Sequence, residues 1–340
     1  VASPAIAATP TNLQSSLLEV RDLRTEFHTH RGVVHAVNGV SFSIAEGELV
    51  GLVGETGCGK SVTARSVIGL VKPPGRVVGG SVTLRGRDLR RVSSRELRRI
   101  RGGQISFVPQ NPWGSLNPVL RIERQYRNVI RAHLKGVSRR EAWDRSLRML
   151  EHVGIRDPGR VLRGYAHELS GGMAQRVVIG MSLVANPGLV IADEPTTGLD
   201  VTIQRQILDM IMSLLEEEHR AMLLVTHDLG IVAQYCHRVI VMYAGKVVES
   251  GPVSEVLTSP AHPYTEALIG AIPKPGRELT RLRGTVPSLI DYPRGCPFRE
   301  RCDYVHELSG EVEPELRLIS PGRMLACHLP KGVTDAARSA

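Results

Sequence analysis

The chain is 340 residues long, 42% hydrophobic and 23% charged, with a formal net charge of +9. Its length suits one main domain of roughly 240 residues with an appendage, and it carries enough apolar residues for a large core. The uncharged run at 177–192 contains Asn186, Pro187 and Gly188 and falls short of the roughly 20 apolar residues a membrane-spanning helix needs, so the chain does not read as a membrane protein itself.

The basic balance raises nucleic acid or an anionic membrane as partners. Eight arginines lie between Arg85 and Arg101, against Asp88 and Glu96 alone. They lack interleaved aromatics for stacking bases, which favours a solvated edge of the core domain, and a cytoplasmic membrane face would favour them too.

In chain order, Val1 to Thr11 is small and Ala/Pro-rich, without a basic start or an apolar centre. It reads as part of a flexible tail, residues 1–16, and not as a signal peptide. Leu18 to Phe27 reads as a strand, and the apolar Leu49 to Val53 as a buried one. The latter runs straight into Gly54, Glu55, Thr56, Gly57, Cys58, Gly59, Lys60 and Ser61, the pattern G-x-x-x-x-G-K-S. Glycines at 54, 57 and 59 let the backbone wrap a triphosphate without bulky side chains. Ser61 to Arg65 then opens a helix whose free N–H groups face the phosphates. Lys60 supplies positive charge near the β and γ phosphates, and the Ser61 hydroxyl is placed to hold Mg2+.

Between Gln110 and Ser170 the pattern turns helical. Ser138 and Glu141 form a capping box before Ala142, Trp143, Leu147, Leu150 and Val153 at helical spacing. Leu169-Ser170-Gly171-Gly172-Met173-Ala174-Gln175 follows, with Ser170 able to cap a helix whose N-terminus can meet a phosphate. Leu189 to Glu194 is a second buried strand, ending in two carboxylates. Asp193 there suits a water-mediated contact to Mg2+, and Glu194 suits orienting or deprotonating the attacking water. Val201 to Leu215 reads as a helix, and Leu223 to Asp228 as another apolar strand ending in polar groups, with His227 placed for the γ phosphate. Val239 to Tyr243, Ala244-Gly245 and Lys246 to Glu249 signal a hairpin that closes the domain.

In this order the residues resemble the ATP-binding-cassette (ABC) family: phosphate loop, Gln110 as Q-loop glutamine, Ser170 to Gln175 as signature, Asp193 and Glu194, Asp200 as D-loop aspartate and His227 as switch histidine. The resemblance implies an α/β fold, a P-loop core with a RecA-like mixed sheet, an antiparallel subdomain and an inserted helical subdomain at about 111–184. It also implies an ATPase whose Mg2+ is held through Ser61, Gln110 and Asp193. Two such domains pair head to tail in the family, so Ser170, Gly171, Gly172, Gln175 and Asp200 are expected to serve the partner's nucleotide. The family stacks a side chain on adenine from a loop before the first core strand; Phe27 and Arg31 both stay open for that role.

Residues 17–255 are thus expected to form the nucleotide-binding domain and 256–340 an extension. Ser259-Pro260-Ala261-His262-Pro263-Tyr264 is similar to the His-Pro-Tyr segment of oligopeptide and dipeptide importer ATPases. Met173 and the Gly57-Cys58-Gly59 loop look like the D-type subunit, while Ala174 departs from the usual Arg. The resemblance implies two transmembrane permease subunits, an F-type ATPase as second subunit, an extracytoplasmic substrate-binding protein, and a peripheral location at the cytoplasmic face of the inner membrane. A soluble ABC ATPase acting on nucleic acid or ribosomes is the alternative; translation-type members carry two nucleotide domains per chain, and each motif occurs once here. Relatives also carry four tail cysteines that in some resemble an iron–sulfur site; this chain has Cys296, Cys302 and Cys327, with Ser309 at the remaining position. A [4Fe-4S] cluster with an outside ligand, a zinc ion and no metal all stay open, whereas disulfides are disfavoured in a reducing compartment.

Overall fold

The computed structural model describes residues 16–272 and 283–329. Most of the tail expected at 1–16 lies outside the described residues. The chain forms two compact units, one made of residues up to Ala45, Leu49–Arg87 and Thr226 onward, the other of Glu46–Glu48 and Asp88–Val225. The fold is α/β, as expected, and no helix among the described residues is long and apolar enough to cross a membrane.

In the first unit the strand Leu18–Thr29 pairs antiparallel with Gly32–Ile44 on one side and Gly75–Leu84 on the other. Thr29 lies opposite Gly32, so His30 and Arg31 form a two-residue hairpin turn, the shortest way to reverse a strand. A second set of strands runs in the order Arg317–Ser320, Arg323–Leu325, Lys246–Pro252, Arg238–Tyr243 and Leu49–Val53. All five residues of Leu49–Val53 are buried, which is why the sequence there is a continuous apolar run without alternation. Helix Leu229–Tyr235 packs closely enough that a Cβ at Gly51 would lie 2.8 Å from Val232.

The tail of the chain is part of this unit. Its strand Arg323–Leu325 extends the sheet by pairing with Lys246–Pro252, placing Glu249 opposite Leu325. Glu249 is fully buried and its carboxylate accepts from Arg323 at 2.7 Å and from the backbone N–H groups of Ala261 (2.9 Å) and His262 (3.0 Å). One carboxylate thus organises the whole Pro260-Ala261-His262 turn. His262 in turn caps helix Pro263–Gly270 by accepting from the Tyr264 N–H through Nδ1. In a chain only 4% aromatic, Tyr243, Tyr264 and Phe298 gather with ring centroids 4.6–5.4 Å apart, a spacing that adds pairwise attraction to their burial.

In the second unit Ala221–Val225, Leu189–Asp193 and Ile105–Val108 form parallel pairs in that order. Helix Arg139–His152 begins at the expected capping box, Ser138 Oγ accepting from the Glu141 N–H and Glu141 from the Ser138 N–H. Buried Tyr126 on helix Ile122–His133 donates to the Val177 carbonyl of helix Gly171–Leu183 at 2.9 Å. Arg145 and Arg176 donate to the carbonyls of Val184 and Val153 at 2.7 Å, so the last turns of two helices are satisfied by guanidinium groups. Around helix Ser94–Gly103, Arg90, Arg91, Arg95, Arg98 and Arg99 are exposed.

Two outcomes follow. Arg323→Met leaves the Glu249 carboxylate buried without its counter-charge, and urea unfolding of the full chain should show a loss of about 3–5 kcal/mol, whereas the pair Glu249→Gln/Arg323→Met should lose clearly less. Burial lowers His262 from 6.5 to about 3. The unfolded chain therefore takes up a proton at this ring from pH 6.5 downward while the folded chain stays neutral, so this contribution to stability is complete above pH 6.5 and declines toward pH 3. His262→Asn, which keeps an N-cap acceptor, should flatten the fall in melting temperature between pH 6.5 and 4.

Candidate nucleotide site

The loop from Gly54 to Ser61 leaves the C-terminal end of strand Leu49–Val53 and enters helix Lys60–Val67. Its glycines do different things. A Cβ at Gly54 (φ 150°) would fall 2.2 Å from the Met242 carbonyl oxygen, and one at Gly59 (φ 103°) 2.3 Å from the Ala36 carbonyl, so at both places neighbouring backbone leaves no room. Gly57 (φ 83°) is the opposite, with nothing within 4 Å of its Cβ position. The loop is therefore tight against the protein at its ends and open in the middle, which is the shape an anion cradle needs.

Lys60 is 5% exposed and donates to the carbonyls of Gly54 (2.7 Å) and Glu55 (3.0 Å). It ties these two loop carbonyls inward and keeps a positive charge next to the loop, so the residues present fit a triphosphate. Ser61 follows on the first helical turn and is half-buried, and Thr56 is exposed. The Cys58 thiol is fully buried; burial pushes its pKa up, and the nearby Lys60 only partly offsets this. Cys58 thus packs as a neutral, apolar group. His227 is exposed in the turn between Val225 and helix Leu229–Tyr235. That turn is pinned on both sides, by Thr226 Oγ1 accepting from the Asp228 N–H (3.0 Å) and by Asp228 Oδ1 accepting from the Gly230 N–H (2.7 Å).

In the second unit Asp193 ends its strand fully buried. Glu194, the next residue, has φ 49°, a left-handed backbone that a non-glycine residue seldom takes and that clusters at functional positions. Its Oε2 accepts from Gln110 Nε2 at 3.1 Å and from Thr197 Oγ1 at 2.8 Å. The carboxylate is thus aimed by two side chains, one of which, Thr197, the sequence reading did not single out. Ser170 caps helix Gly171–Leu183, its Oγ accepting from the Met173 N–H at 3.3 Å, and the space around a Cβ at Gly171 is open. Gly172 lies against Ile203. Gln175 is 2% exposed and turns into its own unit. Asp200 caps helix Val201–Glu217 by accepting from the Ile203 N–H at 3.0 Å.

Phe27 sits half-buried on the middle strand, where a Cβ at Gly75 would lie 2.6 Å from its ring, and Arg31 is exposed at the hairpin turn. The sequence reading missed a contact on the loop itself. Glu55 donates its N–H to the Tyr264 hydroxyl (2.8 Å), and its carboxylate takes both terminal nitrogens of Arg301. Tyr264 belongs to the His-Pro-Tyr segment, which carried a family signal but no hint of this partner.

The cluster considered for Cys296, Cys302 and Cys327 is not supported. Among the described residues no group of three or more His, Cys, Asp or Glu side chains is arranged to hold a metal ion. Ser309, at the missing cysteine position, is instead a buried turn residue, accepting from the His306 N–H through Oγ and from the Cys296 N–H through its carbonyl. Burial raises all three thiols, Cys302 to about 11.

Comparison with known proteins gives the family. The family model described as ABC transporter matches residues 37–197, and that of the oligopeptide/dipeptide transporter C-terminal region matches residues 248–308. A probable peptide ABC transporter ATP-binding protein of Sinorhizobium fredii is 47% identical, covering 92% of this chain and 94% of its own. The oligopeptide transport ATP-binding protein of Salmonella typhimurium is 45% identical over the same shares, 92% and 94%. Among solved structures, a dimeric ATP-binding cassette in a post-hydrolysis state bound to ADP and Pi is 26% identical with a TM-score of 0.63, covering 69% of this chain and 98% of that one. At such identity over such lengths, the chain belongs to the ABC transporter ATPases, in the branch that carries the oligopeptide/dipeptide transporter C-terminal region.

Proposed function

We propose that this ATPase drives uptake of peptides through two membrane permease subunits supplied by an extracytoplasmic binding protein, working from the cytoplasmic face of the inner membrane beside a second, F-type ATPase. The observation that carries the hydrolytic part is Glu194, whose strained backbone and two side-chain donors fix a carboxylate at the end of an apolar strand. Phosphoryl transfer asks for positioning and charge stabilisation more than for covalent chemistry. Lys60 and the loop's N–H groups take the phosphates, Glu194 orients and accepts a proton from the attacking water, and His227 contacts the γ phosphate. Ser61, Gln110 and Asp193 are the residues to hold Mg2+, which supplies neutralisation of charge on the β and γ oxygens when bound.

Ser170, Gly171 and Gly172 present a capped helix start with open space beside it, suited to a phosphate of the partner subunit's nucleotide, with Asp200 completing that face; Gln175, expected there too, is buried. We read 17–255 as the nucleotide-binding domain, its helical subdomain at about 111–184 meeting the permeases, and 256–340 as the extension. What supports peptides as cargo is that the relatives are peptide and oligopeptide transport ATP-binding proteins, together with the matched C-terminal region. The same match disfavours a soluble ATPase acting on nucleic acid or ribosomes.

Glu194→Gln, assembled with its partners, should bind ATP and hold the closed dimer while hydrolysis falls about 100-fold or more; turnover at the unmodified rate would remove Glu194 from the proposed role. Purification of the tagged chain from detergent-solubilised membranes should bring down two multi-span proteins and a second ATPase. Recovery of ribosomes in their place would overturn the importer reading.

A further inference from the structure

The phosphate loop carries a glutamate, Glu55, in the segment that has to attract a polyanion. An uncompensated carboxylate there opposes binding, since like charges at short range in a partly desolvated site repel strongly. The structure shows where the compensation comes from. Arg301, 246 residues away in the C-terminal extension, donates NH1 to Glu55 Oε2 at 2.6 Å and NH2 to Oε1 at 3.1 Å. This is the two-pronged geometry in which guanidinium and carboxylate bind most strongly.

The arginine is built in. Its side chain is 3% exposed and its Nε donates to the Arg283 carbonyl at 2.6 Å. NH1 also reaches the Tyr243 hydroxyl at 3.3 Å. Its guanidinium carbon lies 5.6 Å from the Tyr243 ring centroid and 5.8 Å from that of Phe298, so aromatic faces stabilise the cation as well. The pair with Glu55 raises the arginine's pKa further, and the group is charged at every working pH. Glu55 itself is held at its N–H by the Tyr264 hydroxyl, at its carbonyl by Lys60 and at both carboxylate oxygens by Arg301. Two of these three partners come from the extension.

We propose that Arg301 is a positioning residue for the nucleotide: by neutralising Glu55 and fixing the loop backbone with Tyr264, it lets the C-terminal extension set the affinity of the phosphate loop for a nucleoside triphosphate. The extension is then an electrostatic part of the ATP site. This rests on the reading that the triphosphate binds at Gly54 to Ser61.

The test is equilibrium binding of a fluorescent ATP analogue with Mg2+ to the purified full chain. Arg301→Met should weaken binding about tenfold, which corresponds to about 1.4 kcal/mol, and Arg301→Lys should fall between. The pair Glu55→Gln/Arg301→Met should recover most of the loss. That rescue separates charge from packing, because both variants lack the same guanidinium between the same rings. Tyr264→Phe, which keeps the ring and removes only the hydroxyl, should weaken binding about threefold. If Lys60→Ala binds as tightly as the unaltered chain, the loop is not the nucleotide site and the underlying reading fails. If Lys60→Ala loses binding but Arg301→Met does not, or if the double variant binds no better than Arg301→Met, the role given to Arg301 is overturned.

Discussion

A phosphate loop must leave its backbone open to a polyanion and yet must not collapse when none is bound. Side chains cannot fill it, so its shape has to be imposed from outside. Here the imposition is backbone against backbone. Gly54 abuts the Met242 carbonyl, Gly59 abuts the Ala36 carbonyl, and Gly245 donates its N–H to the Cys58 carbonyl at 2.9 Å. Strand Leu49–Val53, the hairpin at Ala244-Gly245 and the strand containing Ala36 therefore have to be where they are before the loop has a form at all. The burial of Leu49–Val53 and Arg238–Tyr243 is what holds them there.

The tail enters this arrangement through Glu249. A buried carboxylate is unfavourable unless nearly all of its acceptor capacity is used, and Glu249 uses it on Arg323 and on two amides of the turn before His262. That turn delivers Tyr264 to the loop, while Tyr292 reaches the Ala244 carbonyl at 2.9 Å. The same extension thus braces the loop directly and also braces the hairpin that the loop leans on. Its aromatic residues are concentrated at this junction because a polar loop offers little apolar surface to pack against, and large rings supply contact area from the other side.

What was legible in the sequence was what is local. The runs 49–53 and 189–192 are apolar at every position because both faces are covered, and a reader sees that directly. The caps Ser138 with Glu141, Ser170 and Asp200 are local too, since donor and acceptor lie within three residues. Glu194 is read from its place at the end of an apolar strand and Gln110 from the resemblance, but nothing in either segment announces their hydrogen bond across 84 positions. The left-handed backbone of Glu194 has no signal in its residue type. Ser309 misled in the other direction: read as a missing ligand, it is in fact the residue that closes the turn above Cys296. Cysteine spacing reports a ligand set only when the fold gathers the side chains around one point, and among the described residues no group of three or more is so arranged.

The charges around the loop show why a long-range partner escapes a sequence reading. Lys60 is recognisable because the motif contains it, and Glu55 passes as a variable position within the same motif. Yet a loop with one lysine and one glutamate has no net charge to offer a triphosphate. The favourable field has to come from a third group, and the loop's own segment has none to give. Arg301 supplies it from a stretch whose local sequence, between Cys296 and Cys302, suggests only metal chemistry. Charge balance at an anion site belongs to the folded molecule, so a carboxylate standing where it should repel the ligand directs attention to a cation elsewhere in the chain.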